Sequence, residues 1–328
     1  MPISETVTLS DGREAHQVTL QSQGMIVKVV TLGAALQDIR MRGHDAPLIL
    51  GFADVASYAD NKPCMGAIAG RFANRIGNAA FTIDGNTYQL DKNWLGKHTL
   101  HGGSDGLQYW NWNIAEITDD SVTMDVTLPD GHMGFPGNLT ARCTYTILPN
   151  NSVDVMLTAT TDAPTVCGLA SHCYFNLDGH DTIDHHKLRI ACTQALEYDD
   201  DHIPTGNVVD VTGTARDFSQ LRGMSDGLLD SNFCLSSTVE PLRDVATVTT
   251  LNSERSLTIA TNQPGLQVYN APEFSSPYGG LDGRQYGDYA GLAIEPQNWP
   301  NAPRDAQFPN AILRPGETYV NHSQFKFS

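Results

Sequence analysis

The chain has 328 residues and a formal net charge of −17 at pH 7. With 40% hydrophobic and 17% charged residues, its composition is that of an ordinary globular protein. An acidic surface of this kind repels phosphates, so nucleic acids and anionic membranes are poor partners. A small neutral substrate is unaffected, whereas a highly phosphorylated one would need a Lys or Arg cluster that the sequence does not offer.

The first 23 residues are polar and lack the apolar run of a secretory signal. No stretch approaches the roughly 18 apolar residues that cross a bilayer. The six cysteines are scattered singly, without a Cys-x-x-Cys pair, which favours reduced thiols over disulfides. The sequence therefore predicts a cytoplasmic protein.

The predicted elements begin with a short turn of helix at residues 54–61. A hairpin follows, in which Asp84-Gly85-Asn86 joins residues 81–83 to residues 87–90. Apolar and polar residues then alternate with a period of two, as in half-buried strands, most clearly over residues 122–128, 139–147 and 188–192. A second short helical turn is predicted at residues 217–221, and no longer segment has the 3.6-residue period of a helix.

Many short strands without intervening helices are typical of an antiparallel sandwich or barrel. The strand-like patterns continue to Phe327 without a break in composition. All-β folds often run past about 200 residues as one domain. We therefore expect residues 1–328 to form a single large all-β domain.

Two arginines and two asparagines stand among small residues at positions 70–78: Arg71, Asn74, Arg75 and Asn78. Guanidinium and amide groups provide fixed forks that can grip neighbouring hydroxyl groups. An equally good interpretation is a surface loop whose arginines pair with carboxylates of this acidic protein.

Histidines form a second group of candidates. His98 and His101 are three residues apart, and His185 and His186 could add ligands to a zinc site. The pair matches no usual structural zinc pattern, however, and metal is the weaker interpretation. The Gly-Gly that follows His101 suits a loop in which the backbone approaches a ligand closely.

His172 lies inside an apolar run beside Cys173. A lone histidine in such a run is usually a core residue with one backbone partner. The functional alternative is a general acid or base whose pKa is tuned by burial. A Cys-His dyad with Cys173 is disfavoured, because adjacent side chains of a strand point to opposite faces.

Glu295 stands at the end of an apolar strand-like run, followed by Pro296, Gln297, Asn298 and Trp299. A buried glutamate is rare unless it is paired or functional. Amides and a tryptophan are typical sugar-contacting side chains, so a functional role is favoured over a structural ion pair.

Asp230, which stands between apolar residues, could accept hydrogen bonds from two hydroxyl groups. A turn aspartate is the more usual interpretation of such a residue.

Taken in order, these segments resemble the aldose 1-epimerase (galactose mutarotase) family. The resemblance spans residues 70–319 and rests on the following motifs: Gly-Arg-x-x-Asn-Arg-Ile at 70–76, Leu-His-Gly-Gly at 100–103, Gly-Phe-Pro-Gly at 134–137, His-x-Tyr-Phe-Asn-Leu at 172–177, an Asp ahead of an aromatic at Asp230, Gln-x-Tyr at 267–269, Glu-x-Gln-Asn-x-Pro at 295–300 and Leu-Arg-Pro-Gly-Glu-x-Tyr at 313–319. Two departures concern function. Ser171 stands where the family usually has Asn, which bears on the orientation of His172, and residues 199–224 look individual, which bears on the sugars that fit.

The resemblance implies a large antiparallel β-sandwich and an isomerase that interconverts the α and β anomers of a free aldohexose such as galactose or glucose. It implies Glu295 as the base and His172 as the acid, with Arg71, His101 and Asp230 holding the sugar hydroxyls. Asn74 and Gln297 are expected to support them. No cofactor or metal is expected, and the partner is a small sugar bound by a monomer or homodimer.

Ring opening takes a proton from the C1 hydroxyl and delivers one to the ring oxygen, which a base and an acid on opposite sides can do together. For this chemistry we expect an ionised Glu295 and a protonated His172. Two alternatives use the same scaffold. A hexose-phosphate epimerase would need a basic phosphate grip, and a non-catalytic sugar-binding protein would not need both residues. A metal-dependent β-sandwich enzyme is a third class, and it would need three or four convergent ligands.

Overall fold

The fold is built almost entirely from strands. The computed structural model describes residues 3–224, 227–252 and 254–328, and within them 27 strands follow one another. The first fourteen are β1 Ile3–Thr8, β2 Glu14–Ser22, β3 Met25–Val30, β4 Ala35–Met41, β5 Ile68–Ala69, β6 Arg75–Ile76, β7 Ala80–Ile83, β8 Asn86–Gln89, β9 Thr99–Leu100, β10 Asn113–Ile117, β11 Ser121–Leu128, β12 Leu139–Leu148, β13 Ser152–Thr161 and β14 Thr165–Val166. The others are β15 Ala170–Ser171, β16 Tyr174–Phe175, β17 His186–Ile190, β18 Gln194–Tyr198, β19 Pro204–Asp210, β20 Arg222–Gly223, β21 Asp230–Cys234, β22 Arg243–Thr250, β23 Ser256–Thr261, β24 Gly265–Tyr269, β25 Leu292–Gln297, β26 Ile312–Leu313 and β27 Tyr319–Phe327.

The helices are short turns of 3₁₀ type, at Val55–Asp60, Gly77–Ala79, Leu107–Tyr109, His132–Gly134, Leu281–Gly283 and Ala302–Arg304. The first confirms the turn expected at residues 54–61: the Asp54 side chain caps it by accepting a hydrogen bond from the Ala56 amide at 2.9 Å. The turn expected at residues 217–221 is wrong, because the Asp217 carboxylate bonds the amides of Gly213 and Ser219 and closes a non-helical loop instead.

Two large antiparallel sheets form the sandwich that the sequence predicts. The larger has nine strands in the order β10-β11-β12-β13-β27-β23-β22-β17-β20, and the smaller has six in the order β16-β25-β24-β21-β18-β19. The alternating run at residues 139–147 becomes β12, in which every second side chain is buried, starting with Leu139. A four-stranded sheet, β1 to β4, packs beside them.

The apolar faces of the two large sheets share one core. Tyr145 and Phe325 from the nine-stranded sheet are fully buried in the same cluster as Phe233 and Ile294 from the six-stranded sheet. Each buried side chain of this size contributes roughly 1.5–3 kcal/mol. Core packing therefore fixes which face of each strand is turned outward, and this decides where the polar side chains of the smaller sheet lie.

The predicted hairpin forms between β7 and β8, with Asp84 and Gly85 both at positive φ in the turn, while Asn86 already belongs to β8. The six cysteines are unpaired. Among the described residues, no helix is long and apolar enough to span a membrane.

Candidate active site

The outward face of the six-stranded sheet carries a row of polar side chains across three neighbouring strands. Glu295 on β25 lies opposite Gln267 on β24, which lies opposite Asn232 on β21. Cross-strand partners share a face, and alternate residues of a strand share it too. Ile294 and Val268 point into the sandwich core, so Glu295 and Gln267 must point away from it.

A cavity of about 470 Å³ opens on this face, a volume typical of small-molecule sites. It brings together residues that are far apart in the sequence: Asn74, His101, His172, Asp230 and Glu295 all line it. The cavity therefore gathers most of the side chains that the sequence nominates for a sugar site.

His172 is held rigidly beside Glu295. Its amide donates to the Ala67 carbonyl and its carbonyl accepts from the Gly66 amide, each at 2.9 Å. The Nε2 atom then lies 3.5 Å from Oε1 of Glu295. The imidazole ring also packs edge-on against His101, with a centroid distance of 5.3 Å, and 5.0 Å from the ring of Tyr174.

Burial shifts the two pKa values in opposite directions. Removal from water, with the Asp230 charge nearby, raises the pKa of Glu295 to about 8, while Arg75 opposes this rise. Removal from water lowers the pKa of His172 to about 4. Both shifts favour the uncharged forms in the free protein, a glutamic acid beside a neutral histidine. The sequence-based expectation of an ionised Glu295 beside a protonated His172 differs from this, because two desolvated charges cost more than their attraction returns.

His101 lies beside the ring of His172 and has a left-handed backbone conformation, with φ 48°. Its Nδ1 accepts a hydrogen bond from the Asn74 amide at 3.1 Å. Burial, together with the proximity of His172 and Arg75, lowers the pKa of His101 well below its usual value. The ring is therefore neutral with its hydrogen on Nε2, which makes Nε2 a hydrogen-bond donor.

Arg75, and not Arg71, supplies the guanidinium of the cavity. Arg75 Nη2 lies 3.2 Å from Oδ2 of Asp230, and its guanidinium carbon stacks 4.8 Å from the ring centroid of Trp94. The other oxygen of Asp230 accepts a hydrogen bond from the Gln267 amide. Asp230 is thus oriented by two donors and lines the cavity wall.

The expectation that Arg71 holds sugar hydroxyls is corrected by this placement. Arg71 does not line the cavity, and its buried guanidinium donates to the carbonyls of Pro136, Gly137 and Pro129 at 2.8, 2.9 and 3.3 Å and to the hydroxyl of Thr165 at 3.2 Å. Arg71 fits neither interpretation of residues 70–78, because it is buried and bonds backbone carbonyls rather than carboxylates, while Arg75 lines the cavity and pairs with Asp230. Arg71 ties the 129–137 loop to the fold.

Two other expected sugar contacts lie outside the cavity. Gln297 is buried behind it, with neither amide atom bonded to any of the described residues. Trp299 packs against Phe308 at a centroid distance of 5.1 Å and donates its indole hydrogen to the Pro264 carbonyl. The tryptophan that does line the cavity is Trp94.

Comparison with known proteins shows which family the sequence resembles. A family model described as aldose 1-epimerase matches residues 16–326. The chain is 34% identical to galactose mutarotase from Rattus norvegicus, over 97% of this chain and 96% of the relative. It is 32% identical to aldose 1-epimerase from Escherichia coli K12, over 99% of each chain.

The chain belongs to the aldose 1-epimerase family. Its fold agrees with the structure of an aldose epimerase homologue from C. elegans, at a TM-score of 0.89 and 30% identity over 96% of this chain and 99% of the other. A galactose 1-epimerase from Lactobacillus acidophilus shares the fold at a TM-score of 0.84 and 24% identity, over 99% of this chain and 98% of the other. Membership of this family makes the chain an isomerase of the aldose 1-epimerase class.

The departure from the family pattern at Ser171 does not touch the imidazole of His172. The Ser171 hydroxyl lies 3.3 Å from the Cys173 thiol, on the face of the chain opposite His172. The second departure, residues 199–224, does reach the cavity, because His202 is one of its lining residues. This segment is therefore placed to influence which sugars fit.

The histidines considered for zinc are not gathered. The His98 ring lies 3.2 Å from Asp201 and accepts from the Asn78 backbone amide, whereas His186 lies 3.9 Å from Asp178 and His185 packs against His180 elsewhere. The part of the chain that the structure describes contains no group of three or more His, Cys, Asp or Glu side chains placed to hold a metal.

Several cavity residues were missed as individual candidates: Cys64, Trp94, His202, Gln267 and Tyr174. Gln267 and Tyr174 were part of motifs that carried the resemblance, and their period-two spacing from Tyr269 and His172 could have placed them on the same face. Trp94 and His202 lie in loops, where no periodicity applies.

Proposed function

We propose that this chain interconverts the α and β anomers of a free aldohexose such as galactose or glucose, with Glu295 and His172 moving the protons. The observation that carries the proposal is the buried contact of 3.5 Å between these two side chains at the floor of a cavity lined by hydroxyl-binding groups. A carboxyl and an imidazole at this distance can act on two neighbouring oxygen atoms of one small ligand.

The reaction needs one proton held by the pair. Glu295 takes the proton of the C1 hydroxyl, His172 gives a proton to the ring oxygen O5, and the C1–O5 bond breaks to leave an open aldehyde. Rotation about C1–C2 exposes the other face of the carbonyl, and the two transfers run in reverse to close the ring. No redox change or hydrolysis takes place, so this chemistry requires no cofactor.

The charge state of the free protein is compatible with these roles. A glutamic acid beside a neutral histidine and a carboxylate beside an imidazolium contain the same number of protons and differ by one transfer. A bound sugar offers a hydroxyl donor to the carboxylate and an ether oxygen to the imidazolium, which stabilises the second form. We propose that substrate binding moves the proton from Glu295 to His172.

The hydroxyl groups are proposed to bind to Arg75, Asp230, His101 and Asn74. Asp230 offers acceptors, Arg75 and His101 Nε2 offer donors, and all of them line the cavity. In the cavity lining the carboxylates Glu273 and Asp230 balance the cations Lys62 and Arg75, so there is no excess of positive charge for a dianionic phosphate group. A neutral sugar fits this balance better than a hexose phosphate.

Polarimetry on freshly dissolved α-D-galactose and α-D-glucose tests the proposed function. We expect the optical rotation to reach its equilibrium value much faster with the protein than in buffer. An unchanged rate with every common aldose would show that the chain is a sugar-binding protein without catalysis. The same experiment with glucose 6-phosphate measures the disfavoured phosphate alternative.

A further inference from the structure

Three buried amides lie on the same sheet face as Glu295, and several of their polar atoms have no protein partner. Within the described residues, no hydrogen bond reaches Oδ1 of Asn232, Oε1 of Gln267, either amide atom of Gln297, or Oε2 of Glu295. Asn232 is fully buried, and Gln267, Gln297 and Glu295 are each only 1% exposed. Buried polar groups in native proteins are nearly always bonded to protein or to ordered water.

The register of the sheet brings these groups together. Asn232, Gln267 and Glu295 form one cross-strand row, and Gln297 stands two residues beyond Glu295 on the same face, opposite Gly265. The space beside Gly265 is already filled: a Cβ atom there would lie 2.7 Å from Oδ1 of Asn232 and 3.0 Å from the carbonyl oxygen of Gln297. The amide oxygen of Asn232 therefore lies over the glycine, on the side of the sheet that carries Gln297.

The cavity reaches Gln267 and Glu295 but not the other two amides, because neither Asn232 nor Gln297 lines it. The Gln267 amide nitrogen is committed to Asp230, which turns its carbonyl oxygen the other way. Away from the cavity there remain two oxygen acceptors, those of Asn232 and Gln297, and a single amide donor, that of Gln297. Each buried water can donate two hydrogen bonds, so water is the chemical species that such a donor-poor group of atoms requires.

We propose that Asn232 and Gln297 hold ordered water behind Glu295, and that Gln297 is a positioning residue which acts on the Glu295 carboxyl through that water. This inference rests on the proposed function of Glu295. A water that donates to Oε2 fixes the carboxyl plane and stabilises its ionised form, which the reaction needs once the proton has moved to His172.

Other charged and titratable groups face the same carboxyl. The Nε2 atom of His172 lies 3.5 Å from Oε1 of Glu295, and the charges of Asp230 and Arg75 respectively raise and lower the pKa of Glu295. Cys64 and Tyr174 also lie close enough for the Glu295 charge to raise the pKa of each. These groups are unchanged in a Gln297 variant. A shift in the alkaline limb of the pH–rate profile, where Glu295 loses its proton, therefore reports on the water.

Gln297→Met keeps the length of the side chain and removes both amide atoms. The experiment measures kcat, KM and the pH dependence of mutarotation in the whole chain. We expect kcat to fall by about tenfold or more with KM nearly unchanged, because a slightly misplaced catalytic group is costly. We expect the alkaline limb to move up by about half to one pH unit, the scale of one hydrogen bond to a charged group.

Gln263→Met is the matched control. Gln263 is also a buried glutamine, but its amide is bonded to Asn262 and Val320, and it does not line the cavity. It should lower stability without moving the alkaline limb. If Gln297→Met behaves as this control does, while the wild-type protein is active, the positioning role is overturned and the proposed function stands.

A crystal structure of the wild-type protein at high resolution tests the water without reference to activity. Ordered water within hydrogen-bond distance of both Gln297 and Oε2 of Glu295 supports the inference. A dry space, or a direct bond from Gln297 to another side chain, overturns it even if the enzyme proves inactive.

Discussion

The Nε2 atom of His172 lies 3.5 Å from Oε1 of Glu295, and both side chains are buried. On a protein surface such a pair would be an ion pair. Here burial raises the pKa of Glu295 to about 8 and lowers that of His172 to about 4, so the pair holds one proton between these limits. A pair that shares one proton can donate to one sugar oxygen and accept from another without net uptake or release.

The pH profile of kcat/KM should follow this one-proton state. As pH rises through about 8, Glu295 loses the shared proton, and as pH falls through about 4, His172 gains a second one. We expect a bell whose limbs lie near these values, since kcat/KM reports the free enzyme. Mutarotation rates, corrected for buffer catalysis, measure it. An acid limb near the ordinary histidine value of about 6.5 would contradict the buried neutral imidazole.

Asp230→Asn should move the alkaline limb to lower pH. After burial itself, the Asp230 charge is the main cause that raises the pKa of Glu295, so its removal lets Glu295 ionise earlier. A change on the order of one unit is expected for a nearby charge. KM should rise as well, because an acceptor for sugar hydroxyls is weakened. Arg75→Met should move the limb the other way; a shift of both variants in one direction would contradict this assignment.

Glu295→Gln should be more stable than the wild type at alkaline pH. The pKa of about 8 in the folded protein lies above the ordinary glutamate value of 4.5. The stability that the protonated carboxyl contributes is therefore complete below pH 4.5 and is lost as pH rises through 8. Thermal unfolding at pH 5 and pH 9 measures this. We expect the difference in free energy of unfolding between the variant and the wild type to grow by up to a few kcal/mol from pH 5 to pH 9. An advantage independent of pH would show that Glu295 is ionised throughout.

The two arginines of residues 70–78 should give opposite phenotypes. Arg71→Met removes the donors to three backbone carbonyls and should lower the free energy of unfolding by about 2–4 kcal/mol, with KM of the folded protein nearly unchanged. Arg75→Met should raise KM by about tenfold or more with a smaller loss of stability. Chemical denaturation and steady-state kinetics separate the two. A raised KM in the Arg71 variant with an unaltered Arg75 variant would reverse the assignment.

Much of the fold was predictable because burial has a simple period. Alternation over residues 139–147 predicted β12. The same rule explains why the side chain of Ile294 points into the sandwich core and that of Glu295 points away from it. The prediction of a helical turn at residues 217–221 was wrong because an aspartate that bonds nearby amides can close a loop as well as cap a helix. Side-chain hydrogen bonds of this kind depend on backbone geometry that residue types alone do not fix.

The site was predictable at the level of segments, less so at the level of single side chains. Arg71 and Arg75 belong to one motif and have the same chemistry, and only the three-dimensional position of the Pro136–Gly137 backbone assigns the first to structure. The charge state of Glu295 and His172 could not be predicted from the sequence either. It depends on how much water the fold removes from both groups, which no sequence pattern expresses.

The measurement that tests the account most directly is anomeric exchange by NMR on equilibrated galactose, with wild type, Glu295→Gln and His172→Asn. We predict exchange between the α and β signals with the wild type. In each folded variant, the exchange should fall by about a hundredfold or more, as expected for loss of a general acid or base. Wild-type exchange rates in both variants would contradict the assignment of Glu295 and His172 as the proton-transferring pair.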